Sequence, residues 1–364
     1  MTTKVTREQA ACILFCEEIT ENNMSKLTKQ IDSMKDIEIC YEKDPLKPML
    51  LPTVRINSNP FCYLRYLCNT SKLESKIKDK NCQGVQFTSE SQIIQFLNEV
   101  YLPSNPYNDE VYEFKHVTIK EILSLIWKYT AIFDDKSISS LASWCSARKI
   151  HFTTIHTSRK LIKNDNKERV RYRELYVIKD KFIDGIAKGI IEYIPRFQQY
   201  ILNLKSNEYQ IIGYVRKLHG KEDKESRIRL LQCMADKLLT RMSVDKVYAS
   251  PMSHANEPLV SRDVNYDKEI LKGLKNIEGN TQDLLSYIRI AKKVCLVAID
   301  FAGITTNIAD LRNFVRDNDS VKKILIDSTP YGKYINIYDR DQLLDSSQEL
   351  NEFNCRQQCL QRSK

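Results

Sequence analysis

Seven residues in the last quarter of the chain, Val294-Cys-Leu-Val-Ala-Ile-Asp300, constrain the fold more than any other stretch. An unbroken apolar run closed by an aspartate is the pattern of a central sheet strand. The segments around it alternate in kind. Tyr209–Val215 is a buried-strand pattern, and Lys246–Ser250 is a second strand. Between them, Glu225–Met242 carries Ile228, Leu231, Met234, Leu238 and Leu239 on one helical face. Tyr266–Leu274, Asp283–Ile290 and Ile308–Val315 are helical, and Lys323–Asp327 is a further strand. Strands alternating with helices imply a mainly parallel, doubly wound sheet, whose functional groups gather at the carboxyl ends of its strands.

The chain of 364 residues is long enough for two or three domains. The expected organisation is α+β and multidomain. A mostly helical region of open role spans 1–108, and a winged helix-turn-helix-like unit spans 109–180. A helical linker covers 181–207, interrupted near Pro195. The α/β domain follows over 208–345, then a tail over 346–364. In the first region, Thr6 and Gln9 fit a capping box ahead of Ala10–Glu18, and Ser91–Leu102 has a helical period. Asp44–Pro60 holds four prolines and is expected as loop or edge strand. Pro103–Asp109 has the composition of a linker.

Eleven cysteines are odd in number and scattered, which suits reduced thiols better than a disulfide framework. Cys12/Cys16 and Cys355/Cys359 have i,i+4 spacing, but no neighbouring histidine or second cysteine pair completes a zinc set. Neither a signal-type run nor eighteen successive apolar residues occurs. The expectation is a soluble intracellular protein, nuclear in a eukaryotic cell and otherwise cytoplasmic, with no membrane partner.

Lys and Arg outnumber Asp and Glu by 56 to 47, a net charge of +9, and the excess is concentrated. Arg148, Lys149, Arg159, Lys160, Lys163, Lys167, Arg169, Arg171 and Arg173 fall within 26 positions and are opposed only by Asp165 and Glu168. The pattern around them predicts an amphipathic helix over Thr118–Phe133 and a second over Ser137–Ala147. A short turn at Arg148–His151 leads to a third helix over Phe152–Lys163. On that third helix Phe152, Ile155 and Ile162 share one face, while Thr153, Thr154, His156, Thr157 and Lys160 share the other. Apolar residues that fix a helix and short polar ones that reach base edges are what a recognition helix needs. A turn at Asn164–Lys167 and an alternating arm from Arg169 to Ile178 make a basic wing able to neutralise phosphates. The expected partner is double-stranded DNA. The competing reading, from another class, is an interaction scaffold whose basic segment is only solvated.

Within 208–345, Ile212-Gly-Tyr-Val-Arg216 resembles the opening of a serine recombinase (resolvase/invertase) catalytic domain: a strand, then Tyr-x-Arg, then the nucleophilic serine two residues on. The helix carrying Gln232, the strand Val244–Ser250, Arg262 after Ser261, and Val294–Gly303 are similar to successive elements of that family. The resemblance implies a phosphate contact for Arg216, a core or positioning role for Tyr214, and a related place for Arg262 and Asp300. It also implies assembly into oligomers, and a layout like that of insertion-sequence serine transposases, whose DNA-binding unit comes first. The departures are chemical. Leu218 stands at the serine position, and Phe301 and Ile304 stand where two arginines are expected. Without a hydroxyl there is no attack on a phosphodiester, and without the arginines no clamp on its transition state. A degenerate, non-cutting recombinase-like domain with no catalytic residue and no cofactor is therefore expected. The rival chemistry places Mg2+ between Asp300 and Asp327 in a nuclease-like site. Ser243, Ser250, Ser253 and Ser261 are alternative hydroxyls that no spacing singles out. His219 is taken as an exposed loop residue, and Gly213 with Gly220 makes no phosphate-binding loop.

Overall fold

A computed structural model describes residues 4–68, 86–134, 137–161, 169–265, 268–327, 335–347 and 350–355. The chain divides into two compact units, Met1–Phe197 and Gln198–Lys364. The first begins with α1 (Arg7–Leu14) and α2 (Glu21–Asp32). An antiparallel sheet follows, built from β1 (Ile37–Tyr41), β2 (Met49–Pro52) and β3 (Leu64–Arg65), with the short α3 (Thr53–Ser58) between the last two. The expected capping box is present: Thr6 accepts from Gln9 N while the Gln9 side chain accepts from Thr6 N. Proline-rich 44–60 is thus an edge strand and a short helix rather than plain loop.

The rest of this unit comprises α4 (Glu90–Val100), β4 (Tyr101–Leu102), β5 (Tyr112–Val117), α5 (Ile119–Trp127) and α6 (Ile138–Ala147). After a 3-10 turn at His151–Thr154 come β6 (Ser158–Leu161), β7 (Arg169–Ile178) and α7 (Asp180–Ser206), whose residues from Gln198 on belong to the second unit. Strand β7 lies between β4 and β5, antiparallel to both, and its first residues pair antiparallel with β6. The helices close over it with Phe96, Leu97, Ile122, Ile126, Leu141 and Phe152, all buried. Asn108, within 103–109, is itself buried and bonded to Gln9 and to the Lys4 carbonyl.

Two expectations fail here. The third helix over Phe152–Lys163 does not form: its first residues make the 3-10 turn and Ser158–Leu161 is a strand. The physical reason lies in Thr153-Thr-Ile-His-Thr157, where β-branched side chains lose rotamer freedom in a helix and favour extended backbone. The interruption expected near Pro195 does not occur either: α7 runs through it, although proline there lacks a backbone donor and crowds the preceding turn.

The second unit is an α/β layer structure. Its elements are β8 (Gln210–Leu218), α8 (Lys224–Met242), β9 (Lys246–Ser253), α9 (Lys268–Lys272), α10 (Thr281–Ile290) and β10 (Val294–Ala298). They continue with α11 (Phe301–Ile304), α12 (Ile308–Asp317), β11 (Val321–Asp327), β12 (Ile335–Asp339) and α13 (Arg340–Leu344). The sheet runs β12-β11-β10-β8-β9, parallel except for the edge strand β12. The mainly parallel sheet is therefore as expected, and β10 is its fully buried centre. Helices α10 and α12 cover one face with Leu284, Ile288, Leu311 and Phe314 against Ile212, Leu296 and Ile324. On the other face, a Cβ at Gly213 would come within 3.0 Å of Leu238 on α8, so glycine is what lets that helix seat on β8. Among the described residues no helix is long and apolar enough to cross a membrane.

Candidate functional sites

In the first unit the basic segment surrounds the end of α6. Ser137 caps this helix by accepting from Ser140 N at 3.2 Å. Leu141 and Cys145 bury one face, and Ser139, Ser143, Ser146 and Ala147 are exposed on the other. The helix ends in a Schellman closure, with Lys149 N donating to Ser146 O and Ile150 N to Cys145 O. That closure puts Lys149 in the left-handed region at φ 51°, where glycine is the usual occupant. Arg148 lies over the Trp144 ring and pairs with Glu90 at 2.8 Å, while Lys149 is exposed.

Thr154, His156 and Thr157 are exposed and Thr153 is half-buried, but the two hydroxyls of the 3-10 turn are used locally. Thr153 donates to Ile150 O at 2.6 Å and Thr154 to His151 O at 2.8 Å. Arg171 is exposed on β7. Arg173 is not a free surface cation: its Nε donates to Ile155 O at 3.1 Å and its guanidinium lies over the Phe152 ring, where burial pushes its pKa below the usual range. Arg159, Lys160 and Arg169 lie in strands whose side chains there are outside the described residues, as are Lys163 and Lys167 altogether.

In the second unit the carboxyl edge of the sheet is held by three buried arginines. Arg216, near the end of β8, donates through Nε to Ser253 Oγ at 2.7 Å, through Nη1 to Ala302 O at 3.1 Å, and through Nη2 to the carbonyls of His254 and Ala255. Arg227 on α8 donates to Leu218 O and Pro251 O and pairs with Glu222 at 2.8 Å. Arg262 donates to Glu257 O at 3.0 Å and Ile304 O at 2.7 Å. Each thus ties together loops that leave different strands. Arg216, of which a phosphate contact is expected, places these donors on the protein's own carbonyls and on Ser253.

Behind them runs a buried polar chain. Tyr214 OH bonds Thr281 Oγ1 at 2.8 Å, and Thr281 donates from both backbone and hydroxyl to Asp263. Ser250 donates to the other Asp263 oxygen at 3.0 Å. Burial pushes the Asp263 carboxyl up, against the opposing effect of the hydrogen bonds from Thr281 and Ser250 and of the nearby Arg262 charge. Tyr214 is accordingly a core residue with a satisfied hydroxyl.

The two strand-end carboxylates serve different elements. Asp300 caps α11, accepting from Gly303 N at 2.6 Å. Asp327 is fully buried and paired with Lys237 at 3.3 Å and Arg241 at 3.1 Å, both from α8. Two cations on one carboxylate answer its charge without a metal. Among the described residues no group of three or more His, Cys, Asp or Glu side chains is placed to hold an ion. Cys12 is buried at the core of its helix and Cys16 is exposed beyond the helix end, while Cys359 lies outside the described residues.

Sequence reasoning missed the loop-pinning role of the arginines and the neighbouring pair His219 and His254. Both histidines follow directly on the ends of adjacent strands, which is the signal that could have found them.

Comparison of the chain with protein-family models, curated proteins and solved structures finds no match.

Proposed function

We propose that this protein binds duplex DNA through α6 and the β6–β7 hairpin of its first unit. The observation that carries the reading is connectivity: after α4 and the short β4 come β5, α5, α6, a 3-10 turn, β6 and β7, that is a strand, two helices and two strands, with β5 paired to β7 and β7 to β6. This order resembles that of a winged helix, and on this reading α6, rather than Phe152–Lys163, is the element that enters the major groove. Short hydroxyls on its exposed face suit base-edge contacts, and Lys149, Arg171 and the further cations of the hairpin suit phosphates. A lysine kept at a left-handed position, where glycine would relax the backbone, supports a role for its charge.

For the second unit, we infer a recombinase-like assembly domain that does not cut. The sheet order, the leucine at position 218 and the internal commitment of Arg216 support that reading, and its contribution is association with further copies of the chain. The test is a mobility shift with random duplexes, comparing the wild type with Lys160→Ala/Lys163→Ala/Arg171→Ala. The expected result is a salt-sensitive shift that the variant weakens. An unshifted or salt-insensitive duplex contradicts DNA binding, and a covalent protein–DNA adduct contradicts the loss of catalysis.

A further inference from the structure

His219 is the first residue beyond β8, and His254 is the first beyond β9. Leu218 faces Ser253 in the parallel ladder, and His219 N donates to Ser253 O at 3.0 Å. The two histidines therefore continue the ladder by one step, and their side chains emerge side by side. Their rings are parallel within 4°, with centroids 5.7 Å apart, and both residues are exposed. The backbone beneath them is held: Arg216 donates to His254 O, and His254 N donates to Glu257 Oε2 at 2.8 Å.

We propose that His219 and His254 together bind one divalent transition-metal ion. Neutral imidazole is the commonest metal ligand among side chains, and two imidazoles fixed on neighbouring strands have lost most of the backbone freedom that opposes chelation. Because both rings are exposed, rotation about their side-chain torsions brings one nitrogen of each to about 2.0–2.1 Å from a shared ion. With two nitrogen ligands from protein and water in the other positions, the site is open, and its donor set suits Ni2+ or Cu2+. Glu222 pairs with both Lys217, two residues before His219, and Arg227. The pair also sits at the carboxyl edge of the sheet, at the ends of the adjacent parallel strands β8 and β9. The site goes beyond DNA binding and stands whether or not that reading holds.

The test is calorimetric titration of the full chain with Ni2+, in a Cys16→Ser/Cys233→Ser background that removes the thiols exposed among the described residues. His219→Ala, His254→Ala and the double variant are compared, with far-UV circular dichroism to verify folding and glutamine replacements used where alanine unfolds the chain. The expected result is one ion per chain, with affinity reduced by about tenfold or more in each single variant and lost in the double. Equal binding by the parent and the double variant overturns the proposal, as does a loss confined to one histidine.

Discussion

Arg216 Nε donates to Ser253 Oγ at 2.7 Å, joining the ends of two adjacent parallel strands inside a protein layer that leaves the arginine 4% exposed. With its other donors on the carbonyls after β9 and β10, this side chain holds the carboxyl edge together. Arg216→Ala is expected to destabilise the second unit by about 2–4 kcal/mol, since charged hydrogen bonds are each worth about 1.5–3 kcal/mol and are not additive. Ser253→Ala removes one acceptor, leaves a buried guanidinium donor unpaired and costs about 1.5–3 kcal/mol. Urea unfolding of both variants measures this. An Arg216→Ala protein as stable as the wild type would leave the guanidinium available for a ligand.

Asp263 gives the second unit a pH dependence whose sign is fixed by burial. Its folded pKa is raised, so the stability linked to its protonation is fully present below the ordinary carboxylate value and is lost as pH rises through the folded value. Asp263→Asn removes that titration. The stability of the asparagine variant relative to wild type should therefore increase between about pH 4 and pH 6. Chemical denaturation at the two pH values measures the change. A relative stability that falls over this range would mean that the hydrogen bonds from Thr281 and Ser250 outweigh desolvation.

Lys149 separates stability from binding. Glycine at its left-handed position relieves about 1 kcal/mol of backbone strain. Lys149→Gly should therefore raise the melting temperature of the first unit while weakening its hold on a duplex. A variant that is stabilised with unchanged binding would make the lysine a helix-cap residue alone.

Much of this architecture is legible in the residues, because burial and periodicity coincide there. The run Val294–Asp300 becomes the central strand, the apolar face of Glu225–Met242 becomes α8, and of the two serines that suit the cap of α6, Ser137 and Ser139, it is Ser137 that fills it. Phe152–Lys163 misleads because its polar and apolar residues divide cleanly on a helical wheel, while the β-branched Thr153, Thr154, Ile155 and Thr157 pull the backbone toward extended structure. The antiparallel strand β12 lacks a strong apolar alternation, since it is an edge. The arginines were the least legible. Charge reads as surface, and only folding brings Arg216, Arg227 and Arg262 to the carbonyls that bury them.

Thiol reactivity should follow burial. Desolvation pushes the Cys40 thiol up to about 11 and the Cys145 thiol to about 12, while Cys16 and Cys233 are exposed. Iodoacetamide at about pH 8 should label Cys16 and Cys233 first, because a buried thiol of this kind is almost wholly protonated there. Cys40 and Cys145 should react only after denaturant is added. Peptide mass spectrometry reads the order, and early labelling of Cys145 would contradict the packing of α6.

The central claim is that α6 and the basic hairpin grip duplex DNA. Fluorescence anisotropy of a labelled random duplex, titrated over about 50–200 mM salt, tests it most directly. The wild type should lose affinity linearly in log salt. Lys149→Ala/Arg171→Ala should flatten that slope by about two, and Ser143→Glu on the exposed face of α6 should abolish binding with the fold intact. Indistinguishable titrations for all three proteins, or none that respond to salt, would contradict the account.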